Sequence, residues 1–425
     1  MTTANPLDDQ TRRRSTVMSW YDAARHALDR PLTAYYLLLG ASALLLTIGL
    51  IMVLSASSVY SYEQNNHNSY AVVERQLMWV AIGVPCAWIA SRLPLSLLRR
   101  FAWLALITSI VLLALTQTGL GRTVNGNTNW LGVGPFVVQP AEIAKLAIVI
   151  WAAHVYALKD KRLGSLNQVF MPVVPGILAV VALVVLGHDL GTALVLFAIL
   201  LAMLWVVGAP ARLFAVSLTA IGVVAIWLAS TSPERRQRLT NFADPFKDFH
   251  NAGWQPAHGL YALSHGGVFG QGIGASQQKW GNLPEAHTDF IFAVLGEELG
   301  LVGTLLVLVL FLTIAYAAIR VAMQTDNLFI RYATAGVVIW LMAHVVINIG
   351  MVLALLPVIG IPLPLVSYGG SSLVPELVAL GLVIGFARAE PTAAGVLKQR
   401  RTERRKDRLR ARSAVNAGAR PRRPL

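Results

Sequence analysis

Asp289 closes a polar stretch, GNLPEAHTD, and stands directly before an apolar run that begins at Phe290. A carboxylate at such a junction has two readings. It can cap the helix, as Asp and Thr commonly do, with Thr288 beside it as the other cap. It can also act as a general base, because a carboxylate at a low-dielectric boundary binds protons more tightly than one in water. The two roles are compatible. Glu297 and Glu298 follow in the same apolar run, about 12 Å deeper at 1.5 Å per helical residue. Charges at that depth face a bundle interior or a cavity, as a structural ion pair, a neutral acid, or part of a polar path.

Glu142 and Lys145 follow GPFVVQP with i,i+3 spacing, so they share one helix face. They can pair with each other, or Lys145 can partner a buried carboxylate such as Glu297. Asp189 lies in HDLG, where two apolar segments are joined by almost nothing; it reads as a turn or cap residue, or as a carboxylate facing a cavity. Residues 358–372, VIGIPLPLVSYGGSS, hold several turn formers and a Gly-Gly-Ser-Ser run that suits close helix packing. Ser367 and Ser371 of this stretch join the substrate-binding candidates. His250, His258, His265 and His287 share one loop without metal-ligand spacing, and no phosphate-binding P-loop or nucleophile elbow is visible.

Residues 231–289 carry Arg235, Arg236 and Arg238, then Phe242, Phe246, Phe249 and Trp254, then GGVFGQGIG, then Lys279 and Trp280. A basic, aromatic-edged loop of this kind suits an amphiphile with an anionic head group. Arg236, Arg238 and Lys279 are its candidate anion-binding groups.

These residues need a scaffold, and composition says which kind. The chain has 425 residues, 56% hydrophobic and only 13% charged, which excludes an ordinary soluble domain. Ten apolar segments are expected as membrane spans: residues 34–55, 76–90, 101–116, 142–158, 171–186, 190–207, 211–230, 290–321, 332–356 and 365–387. The eighth is long and is expected to tilt or to project beyond the bilayer. The fold class is therefore an all-α polytopic membrane protein with a large loop between helices 7 and 8. A leader (residues 1–30), with an interfacial helix over 20–30, precedes the membrane domain (31–388), and a basic tail (389–425) follows it. No cleavable signal peptide is expected. The net charge of +14 is concentrated at the two ends, which suits anionic lipid better than nucleic acid. A single cysteine, Cys86, rules out an internal disulfide.

Loop charges alternate. Arg92, Arg99, Arg100, Lys159, Lys161, Arg162, Arg212, Arg320 and Arg331 mark one set of loops as cytoplasmic together with both termini. The other set, residues 56–75, 117–141, 188–189, 231–289 and 357–364, then faces outward, and Asp289 with it.

The sequence resembles the SEDS family of bacterial envelope polymerases. The matching stretches are Asn125-Gly126 with Trp130, Gln139-Pro140-Ala141-Glu142 with Lys145, Asp189-Leu190-Gly191, RQRLTNFADP from Arg236, residues 266–274, Lys279-Trp280, PEAHTDFIFAVLGEELG and IPLPLVSYGGSS. The GEELG ending and the Lys279-Trp280 pair resemble the cell-division branch more than the elongation branch. The resemblance implies polymerisation of lipid II, the undecaprenyl-pyrophosphate-linked disaccharide pentapeptide, into septal glycan strands at the outer face of the inner membrane. It implies Asp289 as the essential carboxylate. It also implies a class B penicillin-binding transpeptidase (FtsI-like) and the FtsQ, FtsL and FtsB division proteins as partners. Two positions depart from the family pattern. Asn129 stands where an arginine usually precedes the tryptophan, and His188 stands where a proline is common; Arg122 is the substitute cation in the first loop.

Glycosyl transfer needs a base for the acceptor hydroxyl and cations for the departing diphosphate. Asp289 is expected as the base, with direct displacement preferred over a covalent route. Lys279, Arg236 and Arg238 are expected at the diphosphate, where a divalent cation, Mg or Mn, is a further candidate without a sequence trace. The alternative is a lipid II flippase, in which Glu297, Glu298 and Lys145 line a polar path; a non-catalytic division scaffold is a third reading.

Overall fold

In a computed structural model of the chain, the described residues are 30–124, 127–133, 136–230, 242, 244–251, 253–390, 393–395, 399, 402 and 403. The helices are α1 (Thr33–Gln64), α2 (Ala71–Ala90), α3 (Leu95–Thr116), α4 (Pro140–Lys159), a short α5 (Leu166–Phe170), α6 (Val173–Leu186), α7 (Leu190–Val206), α8 (Ala211–Ser230), α9 (Trp254–Gly266), α10 (Ile291–Gln324), α11 (Leu328–Val352) and α12 (Gly370–Ala389). Eight stretches among the described residues are long and apolar enough to cross a membrane, and α7 and α8 are shorter apolar helices. A helix overlaps every one of the ten expected segments. The chain is a multi-pass α-helical membrane protein. The expected interfacial helix over 20–30 lies almost wholly outside the described residues.

Helix α11 lies at the centre, packed on α4, α7 and α10, while α12 packs on α2 and α10 on α1. The approach of α12 to α2 requires glycine. A Cβ at Gly381 would sit 2.3 Å from the Ala87 carbonyl oxygen, and one at Gly385 would sit 2.5 Å from that of Ser91. This small-residue contact lets two backbones touch where no apolar-surface gain drives helices together.

Three short strands interrupt the helices. Strands β1 (Gly121–Val124), β2 (Asn127–Val133) and β3 (Phe136–Val138) form an antiparallel sheet in that order, with Arg122 opposite Trp130. The sheet leads directly into α4, which carries Pro140 in its first turn, where a missing N–H costs nothing. Thr128 N–H donates to the Gly187 carbonyl at 3.0 Å and ties the sheet to the α6–α7 turn.

The long apolar run after Asp289 is not one continuous helix. Gly300 has φ 66° and ψ −164°, which breaks α10. Leu301 and Val302 N–H, freed by the break, donate to the Gly267 and Val268 carbonyls at 2.9 and 3.1 Å. The Glu297 and Glu298 carbonyls accept from Gln271 and Gly272 N–H, each at 3.0 Å. The glycine-rich loop after α9 thus satisfies backbone groups that the break exposes. The expectation of one long tilted helix is corrected: residues 291–299 form a separate outer piece, and residues 301–324 span about 36 Å at 1.5 Å per residue.

Two other expected spans end early. The tenth begins at Gly370 and the ninth stops at Val352. Pro357, Pro362 and Pro364 between them remove helix donors, and the freed segment enters the site.

Candidate functional site

One cavity of about 940 Å³ opens among the helix ends. Every loop expected on the outer side contributes to its wall: Arg75, Asn129, Asp189, Asp289 and Ile359 each come from a different one. Glu142, Lys145 and Ser371 line it as well. The structure therefore brings Asp289, Asp189, Glu142, Lys145 and Ser371 together. Lys279, Glu297, Ser367 and Arg122 lie elsewhere among the described residues. Arg236 and Arg238 lie outside the described residues, as do Asn125 and Gly126.

Asp289 is half-buried and stands one residue before Phe290, which occupies the cap position of α10. It is not itself the cap. The backbone around it is clamped. Asn348 Nδ2 donates to the Asp289 carbonyl and to the Ile361 carbonyl, each at 2.8 Å. Ser367 Oγ donates to the Thr288 carbonyl at 2.7 Å and accepts from Leu363 N–H at 2.8 Å. Tyr368 N–H donates to the His287 carbonyl at 3.0 Å. Ser367 thus holds the chain that carries Asp289, and the buried Asn348 does the same from α11. The His287 ring stacks between Tyr60 and Tyr368, with centroids 4.8 and 5.7 Å away. Burial holds the His287 imidazole below its ordinary pKa, against the pull of the nearby Glu285. A side chain at Gly360 would bring its Cβ within 3.4 Å of Asp289 Oδ2.

Asp189 proves to be both cap and cavity wall. Its Oδ1 accepts from Thr192 N–H at 2.9 Å, capping α7, and its Oδ2 accepts from Thr192 Oγ1 at 2.8 Å. The same Oδ2 accepts from Asn129 Nδ2 at 2.6 Å and Gln139 Nε2 at 3.0 Å. His188 before it has φ 63°, a left-handed conformation that aims Asp189 back at the sheet. Ser371 Oγ accepts from Gln139 N–H and donates to the Val137 carbonyl, each at 3.2 Å.

Lys145 chooses Glu142 over Glu297: its Nζ lies 2.7 Å from Glu142 Oε1, and 2.9 Å from His344 Nε2. Glu297 and Glu298, both fully buried, anchor the loop instead. Glu297 accepts from Ser276 Oγ, from Gln277 N–H at 3.0 Å and from His265 Nδ1 at 2.9 Å. Glu298 accepts from Ser55 Oγ at 2.6 Å and pairs with Lys279 at 3.2 Å. Lys279 is 7% exposed and also donates to the Gly274 carbonyl at 2.7 Å. Its ammonium is engaged in the protein, away from the cavity. Arg122 is exposed, and its guanidinium lies over Gly132.

Sequence reasoning missed three participants. Arg75 brings the described guanidinium of the cavity wall. His344 and Glu376 sit fully inside apolar helices. A charge within an apolar run was the signal for all of Glu297, His344 and Glu376, and only the first was read.

Comparison with known proteins agrees with this architecture. A family model described as the FtsW/RodA/SpoVE cell cycle proteins matches residues 35–391. A probable peptidoglycan glycosyltransferase FtsW of Mycobacterium tuberculosis is 39% identical over 378 residues, covering 89% of this chain and 72% of its own. Stage V sporulation protein E of Bacillus subtilis is 38% identical over 347 residues, covering 81% and 94%. The crystal structure of RodA from Thermus thermophilus superposes with a TM-score of 0.61 at 27% identity, covering 84% of this chain and 97% of that one. A chain of a solved peptidoglycan synthase complex that coordinates polymerization and crosslinking gives a TM-score of 0.67 at 29% identity, covering 83% and 97%. By the family match and these relatives, the chain belongs to the FtsW/RodA/SpoVE family of cell cycle proteins.

Proposed function

We propose that this chain is a peptidoglycan glycosyltransferase that polymerises lipid II during septal wall synthesis, with Asp289 as the general base. The observation that carries the reading is the single cavity that gathers Asp289, Asp189, Glu142, Lys145 and Arg75 at one end of an apolar bundle. Asp289 takes the proton of the acceptor sugar hydroxyl. The hydroxyl oxygen bonds the anomeric carbon of the donor as the bond from that carbon to the diphosphate oxygen breaks. The diphosphate leaves with that electron pair. Arg75 and Lys145 offer donors to its oxygens, and Arg236 and Arg238 are retained as further candidates. Lys279 takes a different part in this reading, holding the glycine-rich loop on Glu298. Among the described residues no group of three or more His, Cys, Asp or Glu is placed to hold a metal ion. No step is therefore routed through Mg or Mn.

In the same reading the chain crosses the inner membrane ten times, with both termini cytoplasmic and residues 231–289 outside. The isoprenoid tails lie in a groove between spans. A class B transpeptidase is the crosslinking partner, as the neighbouring synthase complex suggests, and FtsQ, FtsL and FtsB are the proposed division partners.

A lipid II flippase is the second reading, favoured by the buried polar groups that continue inward from Lys145. One experiment weighs both. Wild type and D289A are reconstituted with the cognate transpeptidase in vesicles containing lipid II. Glycan strands from wild type alone, with equal melting of both proteins, support the base. Strands from D289A at a rate within tenfold of wild type overturn it. Strands from neither, with lipid II crossing the bilayer, favour the transporter.

A further inference from the structure

Four ionisable side chains meet under the cavity floor, from three helices. Glu142 and Lys145 come from α4, His344 from α11 and Glu376 from α12, and all four are buried to within 3% exposure. Glycosyl transfer as described above uses only Lys145 of the four. The other groups need an account, because burying them is costly.

The hydrogen bonds fix the proton arrangement. His344 Nε2 faces two donors, Lys145 Nζ at 2.9 Å and Trp340 Nε1 at 3.3 Å. An ammonium and an indole can only donate, so Nε2 must accept. The ring proton therefore sits on Nδ1. That atom has no hydrogen-bond partner and faces Glu376 Oε1, also without one, at 3.8 Å. Glu376 Oε2 accepts from Leu365 N–H at 3.3 Å, which orients the carboxylate. The Pro362 carbonyl also faces the imidazole. Lys145 Nζ, with two of its three protons directed at Glu142 Oε1 and His344 Nε2, keeps the third for the cavity that it lines.

We infer that His344 and Glu376 are positioning residues for Lys145: Glu376 selects the Nδ1–H tautomer of His344, whose Nε2 then holds the Lys145 ammonium at the cavity wall. The inference rests on the glycosyl-transfer reading and adds a pH-sensitive element to it. Protonation of His344 turns Nε2 from acceptor to donor and sets two cations against each other. Lys145 then loses its anchor and substrate binding weakens. The charged groups bearing on His344 are Lys145 and Glu142 from α4 and Glu376 from α12; Trp340 on its own helix is neutral.

The test uses full-length protein with its cognate transpeptidase in vesicles, with lipid II polymerisation measured from pH 5.5 to 8. H344Q keeps an acceptor but cannot be protonated. Its ratio of apparent KM at pH 5.5 to that at pH 8 is expected to be at least threefold smaller than wild type's. E376Q can rotate its amide toward Nδ1 and favour the wrong tautomer, so its KM is expected to rise about fivefold to tenfold, the scale of one lost anchoring hydrogen bond. H344Q/E376Q is expected to match H344Q, because a tautomer no longer exists to be selected. A merely structural role for Glu376 predicts the same loss in both backgrounds. An H344Q pH profile identical to wild type's, or an E376Q penalty that persists with H344Q, overturns the inference. If H344Q does not fold, E376Q alone decides: an unchanged KM overturns it. Failure of wild type to make glycan under conditions where it folds would instead strike the underlying reading.

Discussion

Asn129 Nδ2 donates to Asp189 Oδ2 at 2.6 Å, joining the three-stranded sheet to the cap of α7 across 60 residues of sequence. Both groups are buried. The bond makes sense of an asparagine at this place: it is short and neutral, and the carboxylate it meets already accepts from Gln139 and Thr192. N129A should lower stability by about 1–2 kcal/mol, the scale of a buried hydrogen bond lost. N129D should cost more, since it sets a second carboxylate against Asp189. Thermal unfolding in detergent at neutral pH measures both. If N129D melts with or above N129A, the bond does not carry the load assigned to it.

Asn348 carries a different load. Its amide bridges the Asp289 and Ile361 carbonyls, so it holds the carboxylate's backbone against the proline-rich wall of the cavity. N348A should leave KM within threefold of wild type and reduce kcat by about tenfold to a hundredfold, because a small misplacement of a reacting group is expensive. S367A, which frees only the Thr288 carbonyl, should show a milder form of the same effect. Steady-state polymerisation kinetics separate the two constants. A pure KM effect in N348A would place Asn348 in substrate binding instead.

Lys279 distinguishes a loop anchor from a substrate contact. It is paired with a fully buried Glu298, and removing one partner of a buried pair costs about 3–5 kcal/mol. K279M should therefore melt well below wild type. K279M/E298Q, with no charge left uncompensated, should recover most of the loss while KM for lipid II stays level. A diphosphate contact predicts the reverse: normal melting and a raised KM in both variants.

The bundle and its orientation were legible because they rest on summed quantities. Apolar length marks a span whatever it packs against, and the arginine and lysine bias sorted the loops into the set that converges on the cavity. Asp289, Asp189, Glu142 and Lys145 were legible as charges that apolar surroundings make conspicuous. Partner choice was not. Lys145 has Glu142 and Glu297 as plausible partners by spacing, and only three-dimensional packing sends Lys279 to Glu298 and Lys145 to Glu142. The break at Gly300 was hidden for the same reason. A glycine in an apolar helix is ordinary, and the loop residues that satisfy its freed backbone lie 30 positions upstream. Ser367 looked like a substrate contact because its hydroxyl was visible, whereas the carbonyl it holds, that of Thr288, belongs to a distant stretch.

His287 supplies a pH dependence separate from that of the chemistry. Its ring is buried between Tyr60 and Tyr368, and burial lowers its proton affinity in the folded protein. In the unfolded chain a histidine takes its proton near pH 6.5. Between that value and the lower folded one, the unfolded state binds more protons, so stability rises with pH through this window and is level above it. Acidification below pH 6.5 should therefore lower the melting temperature, starting with the segment that leads into Asp289. H287F keeps an aromatic ring between the two tyrosines but removes the titration. Its melting temperature should fall less than wild type's between pH 7.5 and 5.5, with the two converging only if the stack itself tolerates phenylalanine. Equal slopes for the two proteins would mean that the imidazole is already charged in the folded state, and that the Tyr60–His287–Tyr368 stack holds a cation rather than a neutral ring.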